Sequence, residues 1–554
     1  MDKKQKPYVS KYSGFLGKLD SYFKISERGS NFKTEVIAGL TTFFAMAYIV
    51  VTNPNQIVSF GANLTDGIKT DLDRIWYSVY VASILAAVVG TLLYAFYAKM
   101  PFAQACGMGL NSFFFVSFIL PELSKTDGTT NLIKGYKEGL AIILLSGILF
   151  MLLSITGLRT YIAKALPDNL KKAIPAGIGL FIALLGFKSV NLIQGNQFTL
   201  VQFFDFHGLI GSIGKPIGEI KASGAAYDLI DGVYNITEIT SAGTAESATA
   251  EAVQAYEALM ATEVGFMPMW RFIAPVLIAV LGLIVMGVLS KFKVKGSVII
   301  TILGSTVLYY LATWQWPFTA DSFTSIGDSF YYFGKHGVFG AFEGFKTLFT
   351  TGGVFTWGTL FSAIALTITF CLVDMFDTMG TLYGAASQAD MLDENGDPIN
   401  MKESMNADSI ATLSGAVLGT STCTTFVESS AGVGVGGRTG FASLITAACF
   451  FVCLFLTPVA TVIPACATAP ALIYIGVLML KGFAKVDMED ITSAIPAFLA
   501  LIMMPLTYSI SNGIAIGAIS YVLIRLFTGK YQKKDITITI IAILFALRFV
   551  FVSM

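Results

Sequence analysis

Apolar runs separated by short polar stretches recur from one end of the chain to the other. They lie near residues 36–52, 76–98, 108–120, 139–157, 173–190, 270–290, 296–313, 357–383, 406–418, 428–436, 440–461, 464–480, 491–508 and 511–527. Runs of roughly 18 residues or more can cross a hydrocarbon core about 30 Å thick as a single helix, and the shorter ones cannot. A further apolar stretch, 535–553, is rich in β-branched residues and carries Arg548. It can cross, or lie along the interface with Arg548 reaching toward water, and the pattern leans to the interface. The chain is thus expected to be an all-α polytopic membrane protein of fourteen segments, several of them too short to cross alone.

Composition agrees with that pattern. Of 554 residues, 55% are hydrophobic and 13% are charged, and the mean hydropathy is +0.70; a soluble chain carries about 25% charged residues. The formal net charge is zero, which gives no electrostatic pull toward nucleic acid. The cysteines Cys106, Cys371, Cys423, Cys449, Cys453 and Cys466 fall in or beside apolar runs. Only Cys449 and Cys453 have a spacing that a metal could use, and they lack a nearby histidine or acid, so they read as packed small residues and no cofactor is expected. The first 35 residues are polar and lysine-rich with no secretory signal pattern. Eight basic residues there (Lys3, Lys4, Lys6, Lys11, Lys18, Lys24, Arg28 and Lys33) argue for a cytoplasmic N-terminus. Alternate crossings then also put Arg159, Lys164, Lys171, Lys172, Lys291, Lys293 and Lys295 inside, and the stretch 191–269 outside. The second half of that stretch, Ala222 to Thr262, is rich in Ala, Ser, Thr and Glu and reads as a passive insertion of loop or short surface helix.

The two halves of the chain resemble each other. Segment 3 opens with the polar run Pro101 to Asn111, and segment 10 opens with Gly419 to Gly432. Each is followed by a half-length apolar helix. Segment 5 contains Pro175-Ala176, and segment 12 has Pro470-Ala471 in the matching place. Seven segments separate each pair, and an odd number of crossings inverts the second copy. Paired interrupted segments of this kind point to a transporter's midplane site. Extended backbone is tolerated at that depth only where protein buries it or a cavity is lined; residues 102–107 and 421–427 are expected to satisfy each other as a short antiparallel strand pair.

Acids inside membrane segments are costly and mark function. Asp374, Asp377 and Thr378 of segment 8 share one helix face, and Glu428 stands at the start of the half-helix in segment 10, where backbone N–H groups lack partners. The bland alternative places Asp374 and Asp377 at a helix end in water. Such acids suit a solute that donates hydrogen bonds, and they suit coupling to protons; the only histidines, His207 and His336, lie in expected outer loops. Asn111, at the break of segment 3, can recognise a heterocycle edge or cap its half-helix. Phe113, Phe114, Phe115 and Phe426 can stack on a ring or simply face lipid and core. Gly434, Gly436 and Gly437 fit close helix packing better than a phosphate loop.

At these positions the chain resembles the AzgA-like purine permeases of the nucleobase–cation symporters. The resemblance is carried by Ala38 to Pro54, Gly107 to Asn111, Leu372 to Leu382, Val427 to Val433, Ala467 to Ala471, Ile495 to Phe498 and Pro505 to Ile514. It implies a uracil-permease-like fold of two inverted repeats of seven segments, with short strands in segments 3 and 10. The core (substrate-binding) domain would be 36–157 and 357–461, and the gate domain 173–313 and 464–527, with 1–35 a tail, 314–356 an outer loop and 528–554 a C-terminal segment. It also implies inward symport of adenine, guanine or hypoxanthine with protons across the plasma membrane, and a homodimer through the gate domain. The site residues that it assigns are Asp374, Glu428, Gly109 and Asn111, with Asp377 as a second acid; Thr378 and Ser429 are added as their neighbours, and Asp377 and Glu428 are assigned to the proton. The long stretch 191–269 departs from the family pattern and leaves the shape of the outer vestibule open. An anion transporter on the same fold is the competing reading, but anions call for half-helix N-termini and basic groups rather than three acids.

Overall fold

The computed structural model describes residues 12–59, 70–123, 125, 130–156, 167–196, 200–223, 260–292, 294, 296–316, 320–351, 354–388, 391, 398–426 and 428–551. Most of the run Ala222 to Thr262 lies outside the described residues.

The first helices are α1 (Gly14–Phe23), α2 (Phe32–Met46), α3 (Ile49–Ile57) and α4 (Asp71–Leu93). Asn31 caps α2 by accepting the Thr34 N–H, and Thr70 caps α4 in a reciprocal box with Asp73. Strand β1 (Gln104–Cys106) leads into the short α5 (Met108–Phe114), followed by α6 (Leu132–Thr156), α7 (Asp168–Ser189), α8 (Phe266–Lys291) and α9 (Ser297–Thr313). The second half repeats the motif of strand and short helix. There α10 (Trp357–Gln388) and α11 (Met401–Leu418) precede β2 (Cys423–Thr425) and α12 (Ser429–Gly434). The chain ends with α13 (Gly440–Cys453), α14 (Ala465–Leu480), α15 (Ile491–Leu506), α16 (Ile510–Phe527) and α17 (Ile536–Phe551).

Among the described residues, seven helical stretches are long and apolar enough to cross a membrane, and shorter apolar helices accompany them. The helices have the expected character, but some are longer than their apolar runs. α11 begins at Met401 because left-handed Asn400 starts it and its first turn carries Lys402 and Glu403, which the apolar pattern alone excludes. The stretch 314–356 contains helices Ala320–Tyr332 and Gly340–Leu348, packed against α4 and α6 respectively. α17 packs on α16 and α10, burying Ile538, Ala542 and Phe545.

β1 and β2 pair antiparallel, with Gln104 opposite Thr425 and Cys106 opposite Cys423. Every residue of both strands is buried, so the pairing removes the cost of extended backbone at membrane depth. α4 packs against α3, α11, α13 and β1, and α6 packs against α10 and α11. α7 packs against α14, α15 and α16, and it also meets α5 and α10. Glycine permits close approach at one of these crossings. A Cβ on Gly179 would lie 2.8 Å from the Gly476 carbonyl, and one on Gly476 would lie 2.5 Å from the Gly179 carbonyl, so α7 and α14 touch backbone to backbone.

Candidate substrate and coupling site

Three local breaks converge beside α10. The α2–α3 break places Tyr48, the β1–α5 junction places Asn111, and the β2–α12 junction places Glu428 and Ser429. The Tyr48 hydroxyl donates to Glu428 Oε1 at 2.8 Å. Ser429 Oγ accepts the Ala103 N–H at 3.0 Å, which fastens the start of α12 to the approach of β1. Gly109 lies in the first turn of α5. Asn111 is fully buried; its amide donates to Asn53 Oδ1 and, at 3.3 Å, to Gln56 Oε1, and it accepts from the Ser421 hydroxyl. Asn53 in turn donates to Ser83 and, at 3.3 Å, to Thr420. Asn111 is therefore held by side chains from α3 and from the approach to β2, and the simple half-helix cap considered from sequence is not what its side chain makes.

The α10 acids lie within the helix rather than at a wet end. Asp374 is fully buried, and its Oδ2 accepts the Thr412 hydroxyl at 2.7 Å. Its Oδ1 is buried and has no hydrogen-bond partner among the described residues. Asp377, one turn on, is partly exposed and lies beside Glu428 and the Thr424 hydroxyl. Thr378 does not join this group: its hydroxyl donates to Asp408 Oδ2 at 2.7 Å. Among the described residues, no basic side chain makes an ion pair with Asp374, Asp377 or Glu428. A buried carboxylate without a cation needs hydrogen-bond donors or a proton. The arrangement therefore suits a neutral ligand rich in N–H groups and disfavours an anion. Among the described residues, no group of three or more His, Cys, Asp or Glu side chains has the arrangement of a metal site.

Sequence reasoning missed Tyr48, Asn53, Gln104, Asp408 and Thr412. Tyr48 and Asn53 lie inside the motif Ala38 to Pro54, but only the tertiary fold brings them to α12 and α5. Asp408 had a readable signal, since it lies near the start of an apolar run and stands four residues before a threonine, as Asp374 does.

The model of the Permease family matches residues 33–214 and 243–516. The chain is 31% identical over 538 residues to adenine permease AdeP of Escherichia coli K12, covering 97% of both chains. It is 31% identical over 525 residues to guanine/hypoxanthine permease PbuO of Bacillus subtilis, covering 94% of this chain and 98% of the relative. Two solved structures share the fold. One is SLC26A9, with TM-score 0.51 and 11% identity over 95% of this chain and 74% of that one. The other is the transmembrane domain of the cyanobacterial bicarbonate transporter BicA, with TM-score 0.50 and 13% identity over 88% and 97% of the two chains. At such identity these two speak for fold alone.

Proposed function

The chain belongs to the Permease family, and from that premise we propose that it imports purine nucleobases (adenine, guanine or hypoxanthine) together with protons. Support for the cargo comes from the relatives named as adenine and guanine/hypoxanthine permeases, which match this chain over nearly its whole length. The carrying structural observation is the group of acids at the crossing of the two broken segments: Asp374 and Glu428, with Asp377 beside Glu428 and, among the described residues, no basic partner for any of the three. A purine offers N–H donors and ring acceptors on one planar edge, which such carboxylates and the amide of Asn111 complement.

On this reading Asp374, Glu428, Gly109, Asn111, Thr378 and Ser429 form or support the base site, and Asp377 and Glu428 exchange the proton. The core domain, 36–157 and 357–461, carries the site past a gate domain, 173–313 and 464–527, in an elevator or rocking cycle. Fourteen segments arranged as two inverted sevens provide that division. A small cavity lies where Gln56, Ser112 and Phe115 meet Leu185 and Tyr508, the seam along which the two domains would slide. The multi-pass chain sits in the plasma membrane with its N-terminus in the cytoplasm, and it dimerises through the gate domain.

The test is uptake of radiolabelled hypoxanthine, adenine and guanine into proteoliposomes with an imposed inside-alkaline pH gradient, with bicarbonate and sulfate as comparison cargo. Gradient-dependent purine accumulation that a protonophore abolishes is the expected result. Purine exchange without gradient-driven accumulation would overturn proton coupling, and anion uptake without purine uptake would overturn the cargo.

A further inference from the structure

We propose that Asp408 is a positioning residue for Asp374, and that the pair presents a single acceptor oxygen, Asp374 Oδ1, to an N–H of the cargo. This inference rests on the nucleobase reading and concerns how the same site recognises its ligand.

The argument begins with a spacing that occurs twice. Asp374 and Thr378 stand four apart on α10, and Asp408 and Thr412 stand four apart on α11, so each pair shares one helix face. The two faces bond reciprocally. Thr412 donates to Asp374 at 2.7 Å, in preference to the Cys423 carbonyl at 3.0 Å, and Thr378 donates to Asp408 at 2.7 Å. The position numbers rise on one helix as they fall on the other, as antiparallel neighbours require. Each threonine hydroxyl also accepts a backbone N–H from β2: Cys423 N–H to Thr412 at 3.2 Å, and Thr425 N–H to Thr378 at 3.4 Å. The clasp is therefore fastened to the strand crossing as well as across the helix pair.

Donor accounting then separates the two acids. Asp408 is fully buried, with Oδ2 accepting from Thr378 and Oδ1 accepting the Gln104 amide of β1 at 2.7 Å. Both of its oxygens are engaged from two other elements. Asp374 has Oδ2 engaged by Thr412, while Oδ1 is buried without a donor among the described residues. An unsatisfied buried acceptor is costly, and the cost is removed by a ligand donor. Asp408 thus fixes α11 against α10 and holds Thr412 in reach of Asp374, and Asp374 is left to read the ligand. Thr378 belongs to the positioning clasp rather than to the ligand contact.

A merely structural clasp would lower stability and leave ligand affinity intact, which makes the two roles separable. The experiment measures hypoxanthine and adenine binding by calorimetry on the purified full chain, alongside thermal melting without ligand, for wild type, Asp408→Asn, Thr412→Val and Thr412→Ser. The double variant Asp408→Asn/Thr412→Val completes the set. Each of the first two variants is expected to weaken binding about tenfold, the scale of one hydrogen bond to a charged group. Thr412→Ser restores the donor and binding. The double variant loses no more than the larger single loss, because both changes release the same carboxylate. Wild-type affinity in Asp408→Asn and Thr412→Val, whatever their melting temperatures, would overturn the inference while leaving the nucleobase reading intact. If Asp408→Asn fails to fold, Thr378→Val, which removes the clasp donor to Asp408 and leaves Asp374 and Thr412 unchanged, takes its place: weakened binding supports the positioning role and wild-type affinity overturns it. A wild type that binds no purine would overturn the nucleobase reading and this inference together.

Discussion

Replacing Glu428 by glutamine changes charge and almost nothing else. The glutamine Oε1 can still accept the Tyr48 hydroxyl, a contact of 2.8 Å in the wild type, so the α2–α3 break keeps its tie to the start of α12. The loss is the carboxylate's charge-assisted acceptance of ligand N–H groups, worth about 1.5–3 kcal/mol, which weakens binding about tenfold to more than a hundredfold. No basic side chain pairs with Glu428 among the described residues, so removing its charge leaves no cation stranded. Calorimetric titration with hypoxanthine, supported by counterflow in proteoliposomes, measures the change. Tyr48→Phe is the companion variant: it leaves the charge and removes only the donor that orients the carboxylate, so its loss of affinity is the smaller. Near-normal binding by Glu428→Gln would refute the assignment of this carboxylate to the ligand.

Three further outcomes are expected. Asp377→Asn keeps measurable purine binding and loses pH-gradient-driven accumulation, whereas Asp374→Asn loses binding itself; the reverse pattern, read by calorimetry and uptake together, would exchange their roles. Cys106 and Cys423 stand opposite each other with sulfurs 3.9 Å apart, at a non-hydrogen-bonded pair where Cα atoms lie about 4.5 Å apart, within the span a disulfide bridges. After treatment with a membrane-permeant diazene oxidant and unfolding in detergent, both thiols should therefore resist maleimide until dithiothreitol is added, and labelling of both in the unfolded, unreduced chain would contradict the strand register. Asp490 caps α15, and hydrogen bonds from the Ser493 and Thr492 hydroxyls hold its carboxyl below the ordinary 3.8, at about 2. Asp490→Ala should cost about 0.5–2 kcal/mol. Because a depressed carboxyl stabilises the fold above its unfolded value, the ionised form's contribution is lost as pH falls from about 4 toward about 2, and the melting curves of variant and wild type should approach each other there.

Much of this protein was fixed by local pattern. Apolar length and the scarcity of charge set the helical membrane class, because spanning helices satisfy their own backbone and need only an apolar exterior. The two polar runs that interrupt short apolar helices announced β1 and β2, since extended backbone at that depth requires a partner and each run had only the other. The acids Asp374, Asp377 and Glu428 were legible because burying charge is expensive enough to make its presence informative.

What each side chain meets was decided by tertiary structure. Thr378 shares a helix face with Asp374, as the spacing says, but that spacing is silent on α11, whose Asp408 takes the Thr378 hydroxyl. Asn111 could cap its half-helix as far as sequence goes; the approach of α3 and Ser421 engages its amide in place of that cap. Tyr48 looked like one more aromatic in an apolar helix until the helix break at Ala47 and Tyr48 turned its hydroxyl onto Glu428. Periodicity ranks the residues of one helix by face, whereas hydrogen-bond partners from distant segments depend on which helices the fold brings side by side.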